Sequence, residues 1–203
     1  MYLSKGLGVI LCVMFTIAGA NFAWAADKKS EKVTDPVLAG FIENAKAYVE
    51  LRTKIEKDLP PLKDKEGAEE INAHQRTVRM KIAAARSGAR RGSLFTPEVT
   101  ASLKRILDGD LRGPDGKMAR TTMTEESPAH VACKVNAAYP SNEPVSTVPP
   151  DLLQKLPQLP DNLEYRFSKR GDLILRDAKA NMIVDCLPGA VSTVKKSPET
   201  KTE

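Results

Sequence analysis

A run of basic side chains without a nearby carboxylate is the strongest candidate for chemistry in this sequence. The segment 75–95, which we call the cationic segment, contains six cations and no Asp or Glu. The six are Arg76, Arg79, Lys81, Arg86, Arg90 and Arg91. A helix that continues past Gly88 would place three of them, Arg79, Arg86 and Arg90, on one face. Such a face could bind lipid phosphates or an anionic cell-wall polymer, because guanidinium groups form strong charge-assisted hydrogen bonds with phosphate.

The alternative interpretation of the same segment is a solvated helix face. In that case its charges are balanced by acids of the first helix or by Glu66, Glu69 and Glu70. No aromatic residue alternates with the arginines, so the stacking surface expected of a single-stranded nucleic-acid groove is missing. The sequence therefore predicts no nucleic-acid partner.

The chain has three cysteines, of which Cys12 lies in an apolar N-terminal segment. The other two, Cys133 and Cys186, allow one intramolecular disulfide in a compartment that permits oxidation. Both fall on predicted strands, and neighbouring strands bring Cα atoms into the ~4.4–6.8 Å range that a disulfide needs. We predict this disulfide, with two buried free thiols acting as small apolar residues as the alternative.

Metal and catalytic motifs are not recognisable. The segment 108–113 begins like a calcium loop, but Arg112 and Ala119 occupy positions that require oxygen ligands, so it predicts a helix-ending turn. His74 follows Glu70 by one helical turn and is interpreted as half of a surface pair. His130 and Cys133 could share copper or nickel only if the thiol is reduced.

No nucleophile elbow and no glycine-rich phosphate loop occurs. The sequence therefore assigns no catalytic, cofactor-binding or metal-binding residue, and no cofactor.

The N-terminus has the pattern of a Sec-type signal peptide. Lys5 precedes an uncharged segment, 6–20, and Ala23-Trp24-Ala25 provides a small-x-small cleavage site. We predict a signal peptide at 1–25, a flexible linker at 26–34 and a periplasmic or secreted protein, with an uncleaved anchor as the alternative. Cleavage removes one charge, Lys5, so the net charge of +5 becomes +4.

Hydrophobic periodicity predicts a helical region over 35–125. The first helix starts at Asp35-Pro36, carries an apolar stripe from Leu38 to Leu59 and stops before Pro60. A second helix is expected from near Ala68 to Ser87. A third is expected to start at Thr96-Pro97, with Gly109 beyond its end. Three helices joined by short loops predict an antiparallel arrangement.

The region 126–187 is predicted to be a proline-rich segment with a small β module, because seven of the fourteen prolines fall between Pro128 and Pro160. One strand is expected at 131–135 and a short helix at 151–156. A hairpin is expected from 163–167 and 173–176, followed by a strand at 182–186. A disordered tail is expected over 188–203. The predicted fold class is therefore α+β, in which the three-helix antiparallel N-terminal part precedes a small antiparallel β-meander.

Several short runs resemble a group of uncharacterised exported bacterial proteins. In the C-terminal half they are LPQLP at 156–160, LEYRF at 163–167, DLILRD at 172–177 and ANMIVD at 180–185. In the N-terminal half they are AYV at 47–49, LPPL at 59–62 and LFTPEV at 94–99. The resemblance implies an exported helical protein with a small β C-terminal part.

The C-terminal strands are also similar to the β module of periplasmic nickel and cobalt homeostasis proteins. The similar pieces are Tyr165-Arg166, Gly171-Asp172-Leu173 and Ile183-Val184-Asp185. This resemblance implies a possible role in nickel, cobalt or copper homeostasis.

We therefore expect an exported, non-catalytic envelope protein that acts as an interaction or structural module. Its expected partner is an envelope protein or an anionic surface polymer or lipid, and no transmembrane segment is expected after signal cleavage. The alternatives are a periplasmic metal-homeostasis module and an enzyme whose site is not recognisable from sequence.

Overall fold

The computed structural model describes residues 35–62, 67–128, 131–141, 143, 145, 146 and 148–192. The predicted signal peptide, the predicted linker, Glu66 and His130 lie outside these residues, as does the predicted tail from 193 onward. Within the described ranges, no helix combines the length and the hydropathy needed to cross a bilayer.

Three helices form close to where the periodicity predicts them. Helix α1 spans Pro36–Lys57, α2 spans Ala68–Ala85 and α3 spans Pro97–Asp110. Asp35 caps α1 by accepting a hydrogen bond of 2.9 Å from the backbone N–H of Val37, which would otherwise lack a partner. Helix α1 packs against both α2 and α3. Gly109 lies inside α3 rather than beyond it.

A fourth helix corrects the predicted three-helix N-terminal part. Helix α4 spans Gly113–Glu125, directly after the turn at Leu111 that ends α3. Gly113 has a positive φ of 79°, which reverses the chain, and Pro114 then occupies the first helical turn. This helix was not predicted because it has few apolar residues at helical spacing. Among those apolar residues, Met123 is the one that is almost completely buried.

The C-terminal half forms a short helix and a three-stranded antiparallel sheet. Helix α5 spans Pro150–Lys155, and strands β1, β2 and β3 span Leu163–Phe167, Leu173–Asp177 and Met182–Leu187. The strand order is β1-β2-β3, so the predicted meander and the α+β class are confirmed. Beyond β3 the packed structure continues, because Ala190 and Val191 are buried. The predicted tail therefore starts too early at residue 188.

The strand predicted at 131–135 is wrong. Pairing begins only at Asn136, whose φ of 62° bends the chain toward β3. The N–H of Asn136 then donates to the carbonyl of Ile183, and the N–H of Ile183 donates to Ala137. We call residues 131–141 the strap segment. It runs beside β3 with a single isolated bridge, between Ala138 and Met182.

The two faces of the sheet contact different parts of the chain. On the helix side, alternate residues such as Tyr165, Phe167 and Leu175 join the main core with the helices. On the strap side, a smaller cluster joins Val131 and Tyr139 of the strap segment to Ile174, Ile183 and Cys186 of the sheet.

A β-bulge in β3 controls which residues face which side. Leu175 pairs with Asp185, but the next residue, Arg176, pairs with Ile183, so Val184 is an extra residue. Cross-strand partners share a face. Asp185 therefore faces the helices, whereas Cys186 faces the strap segment.

Candidate functional site: the cationic segment and the adjoining groove

Two of the predicted anion-binding arginines donate to backbone carbonyls of β3 and of the turn before it. Arg79 donates to the carbonyls of Ala180 and Asn181, in the turn, at 3.2 and 3.4 Å. Arg86 donates at 3.2 Å to the carbonyl of Val184, the extra residue of the bulge. A bulge leaves its extra residue unpaired in the strand ladder, and Arg86 supplies a donor for its carbonyl. Burial lowers the pKa of both guanidinium groups below its ordinary value.

Arg86 is fixed on several sides. Its Nη1 donates to the side-chain oxygen of Asn136 at 3.0 Å, while the amide of Asn136 donates back to the carbonyl of Arg86 at 3.1 Å. The guanidinium carbon lies 5.0 Å from the ring centroid of Tyr48, a cation–π contact. The position of this charge is therefore determined by α1, the strap segment and β3 together.

Tyr48 is in turn held by a buried ion pair. Its hydroxyl donates to Asp177 at 2.7 Å, and Arg52 donates to the other oxygen of Asp177 at 3.1 Å. The backbone N–H groups of Lys179 and Ala180 also donate to this carboxylate. Burial, reinforced by the Asp177 charge, raises the pKa of Tyr48 well above its ordinary range.

Asp185 orders the loop between α2 and α3. Its carboxylate accepts hydrogen bonds of 3.0, 2.7 and 2.9 Å from the backbone N–H groups of Gly92, Leu94 and Phe95. These donors compensate a side chain that is completely buried. The cationic segment contains no carboxylate of its own, and Asp185 of β3 supplies one to it.

The structure does not place Arg79, Arg86 and Arg90 on one helical face. Helix α2 ends at Ala85, before Gly88, and Arg90 lies exposed in the α2–α3 loop. Four of the six cations in the cationic segment remain once Arg79 and Arg86 are set aside. No ion pair in the described part of the chain involves any of these four. These four, which we call the exposed cations, are Arg76, Lys81, Arg90 and Arg91.

Cys133 and Cys186 lie at disulfide distance, with Cα atoms 5.6 Å apart. Cys186 is buried in β3 and Cys133 is half-buried in the strap segment. The bond joins the strap segment to the strap side of the sheet.

The predicted turn and the histidine pair hold no cluster of ligands. Asp110 pairs with Lys155, and His74 is half-buried on α2. Across the described ranges, no group of three or more His, Cys, Asp or Glu side chains is arranged to hold a metal ion.

A groove of about 320 Å³ adjoins the cationic segment. Its lining residues are Asn44, Ala47, Tyr48 and Leu51 of α1 and Arg86, Ala89, Ser93 and Leu94 beyond α2. Arg86 is the one charged side chain among them. A second groove of about 390 Å³ follows one face of α4 and includes Met118, which is exposed.

Sequence reasoning missed the residues that organise this region. Arg52 follows Tyr48 by four positions and therefore lies on the apolar stripe of α1. A cation at such a position indicates a buried charge. Asp177 and Asp185 end or interrupt apolar strands, which is a recognisable sign of a buried carboxylate with dedicated donors.

Comparison with protein families, with curated proteins and with solved structures finds no match to this chain.

Proposed function

We propose that this protein is an exported, non-catalytic envelope protein whose folded part is an interaction module for an anionic lipid surface. The observation that carries the proposal is that the six cations of the cationic segment fall into two groups with different contacts. Arg79 and Arg86 bind carbonyl groups of β3 and of the turn before it, whereas the exposed cations bind no carboxylate in the described part of the chain.

The neighbourhood of these cations favours a lipid surface over a soluble polymer. Met80 is 69% exposed and lies between Arg76 and Lys81 in α2. An apolar side chain next to cations is typical of surfaces that enter the boundary between headgroups and acyl chains. Each Lys or Arg near an anionic leaflet contributes about 1 kcal/mol of attraction.

Export is supported by the sequence from Lys5 to Ala25 and by the pairing of Cys133 with Cys186, since disulfides persist in oxidising compartments. Mass spectrometry of the exported protein should find Ala26 or Asp27 as the first residue. An intact Met1 on protein from the membrane fraction would show that the N-terminal segment is an anchor instead.

Vesicle binding tests the lipid proposal. The chain beginning at Ala26 should bind vesicles that contain phosphatidylglycerol, and should bind neutral phosphatidylcholine vesicles much less. Binding should weaken steeply as salt rises from low ionic strength, because exposed charges are screened within ~10 Å at 0.1 M.

A matched pair of variants separates a specific surface from net charge. One variant changes all four exposed cations to Gln. The control changes four other exposed lysines to Gln, namely Lys54, Lys57, Lys117 and Lys134. We expect at least tenfold weaker binding for the first variant and a much smaller effect for the control. Equal losses would contradict the proposal, and binding to soluble polyphosphate but not to vesicles would assign the surface to a polymer.

A further inference from the structure

The groove between α1 and the α2–α3 loop combines one fixed positive charge with both polar and apolar side chains. Arg86 contributes the charge, and Leu51 of α1 and Leu94 of the loop contribute apolar surface. Its volume of about 320 Å³ lies near the lower end of ligand-binding pockets, which starts at ~300 Å³. The groove therefore fits a small molecule rather than a polymer.

The charge of Arg86 is not neutralised by its hydrogen-bond partners. The side-chain amide of Asn136 and the carbonyl of Val184 are both neutral acceptors. These bonds use two of the five N–H groups of a guanidinium. The carboxylate of Asp185 acts on this charge without a hydrogen bond to it, and already accepts three backbone hydrogen bonds from the α2–α3 loop.

Arg86 is also preorganised, which favours binding. The Tyr48 ring and Asn136 hold the guanidinium, and Asp177 holds the Tyr48 hydroxyl at 2.7 Å. A ligand therefore does not have to order this long side chain, whose immobilisation normally costs binding free energy. Asn44, which is exposed at the groove, adds an amide donor.

We infer that this groove binds a small aliphatic monocarboxylate, with the carboxylate at Arg86 and the hydrocarbon part against Leu51 and Leu94. A carboxylate matches the planar donor geometry of a guanidinium. The apolar surface of Leu51 and Leu94 favours a ligand that carries a short hydrocarbon chain over a bare inorganic anion. The inference is independent of lipid binding, because none of the exposed cations lines the groove.

Butyrate is the probe, and its neutral isostere butyramide is the reference ligand. Each is titrated into the ¹⁵N-labelled chain beginning at Ala26 at constant ionic strength, with inorganic phosphate as a third ligand. We expect saturable amide shifts from butyrate at groove residues such as Ala47 and Ala89, and no saturation with butyramide. Equal responses to butyrate and butyramide, or saturation by phosphate alone, would overturn the assignment.

Ala47→Glu provides the blocking variant without disturbing Arg86. Ala47 is exposed on α1, and Glu is a good helix former, so the fold should persist. The new carboxylate competes for Arg86 and should weaken butyrate binding at least tenfold. Thr53→Glu introduces the same charge elsewhere on α1, at an exposed position outside the groove, and should leave the affinity within twofold.

Unchanged butyrate affinity in Ala47→Glu would refute the site. The variant with four exposed cations changed to Gln keeps the two proposals distinguishable. It should lose vesicle binding while it retains butyrate binding.

Discussion

The two faces of the sheet are attached to the rest of the chain by different kinds of contact. On the helix side, buried polar groups make the connections: Asp177 binds Tyr48 and Arg52 of α1, and Asp185 binds three N–H groups of the α2–α3 loop. On the strap side, one disulfide, a few backbone hydrogen bonds and a small apolar cluster make them. The helix side thus depends on buried carboxylates with dedicated donors, whereas the strap side combines one covalent bond with noncovalent contacts.

The largest expected effect is on the helix side, from Asp177→Ala. The substitution leaves the Arg52 guanidinium buried without its carboxylate, and breaking a buried pair in this way costs about 4 kcal/mol of unfolding free energy. Denaturant unfolding measures the loss. Asp108→Ala, at an exposed position of α3, is the control and should change stability by less than about 0.5 kcal/mol. A loss below 1 kcal/mol for Asp177→Ala would show that Arg52 reaches another acceptor or solvent.

The next effect is on the strap side, from removal of the disulfide. Changing Cys133 and Cys186 together to Ala should lower the unfolding free energy by about 3 kcal/mol, because the bond closes a loop with a sequence separation of 53. Hydrogen exchange should accelerate at Asn136 and Tyr139 before it changes in the helices. If chemical reduction of the wild-type protein leaves its stability unchanged, the strap segment is held by its noncovalent contacts alone.

The two faces also differ in how far they were predictable. The stripe of α1 and the hairpin of β1 and β2 follow from periodicity, because burial of alternate or every third or fourth residue leaves a direct trace in sequence. The contact of the strap segment with β3 leaves no such trace, since it depends on the left-handed backbone at Asn136 and on the bulge at Val184. The groove at Arg86 could not be predicted from the sequence either, because residues from elements that are distant in sequence line it.

High pH should weaken the helix side through Tyr48. The raised pKa of Tyr48 keeps its hydroxyl protonated in the folded protein, while the unfolded chain ionises near pH 10. Tyr48 therefore contributes stability below pH 10 that is lost as the pH rises, by about 1 kcal/mol at pH 11. The stability difference between wild type and Tyr48→Phe should narrow by that amount between pH 9 and pH 11. A constant difference would mean that the folded-state hydroxyl ionises normally.

The smallest expected effect comes from Arg79→Gln, which removes two hydrogen bonds to the turn before β3. Arg79 is half-buried and its two acceptors are neutral carbonyls, so the loss should be about 1 kcal/mol. Arg76→Gln, an exposed neighbour in α2, should have almost no effect on thermal unfolding. Similar losses from both substitutions would indicate a general charge effect rather than the hydrogen bonds to Ala180 and Asn181.

The extra residue in β3 sets different tolerances for substitution and for deletion. Because Val184 is unpaired, Ile183 and Cys186 both face the strap segment although they are three positions apart, which strict alternation would not allow. Deleting Val184 would leave Ile183, Asp185 and Cys186 on the sides they now face, since their partners Arg176, Leu175 and Ile174 alternate regularly. The deletion would, however, remove the carbonyl to which Arg86 donates, whereas a substitution keeps it. We therefore expect that, as such chains diverge, other apolar residues can replace Val184, whereas loss of the position accompanies loss of Arg86.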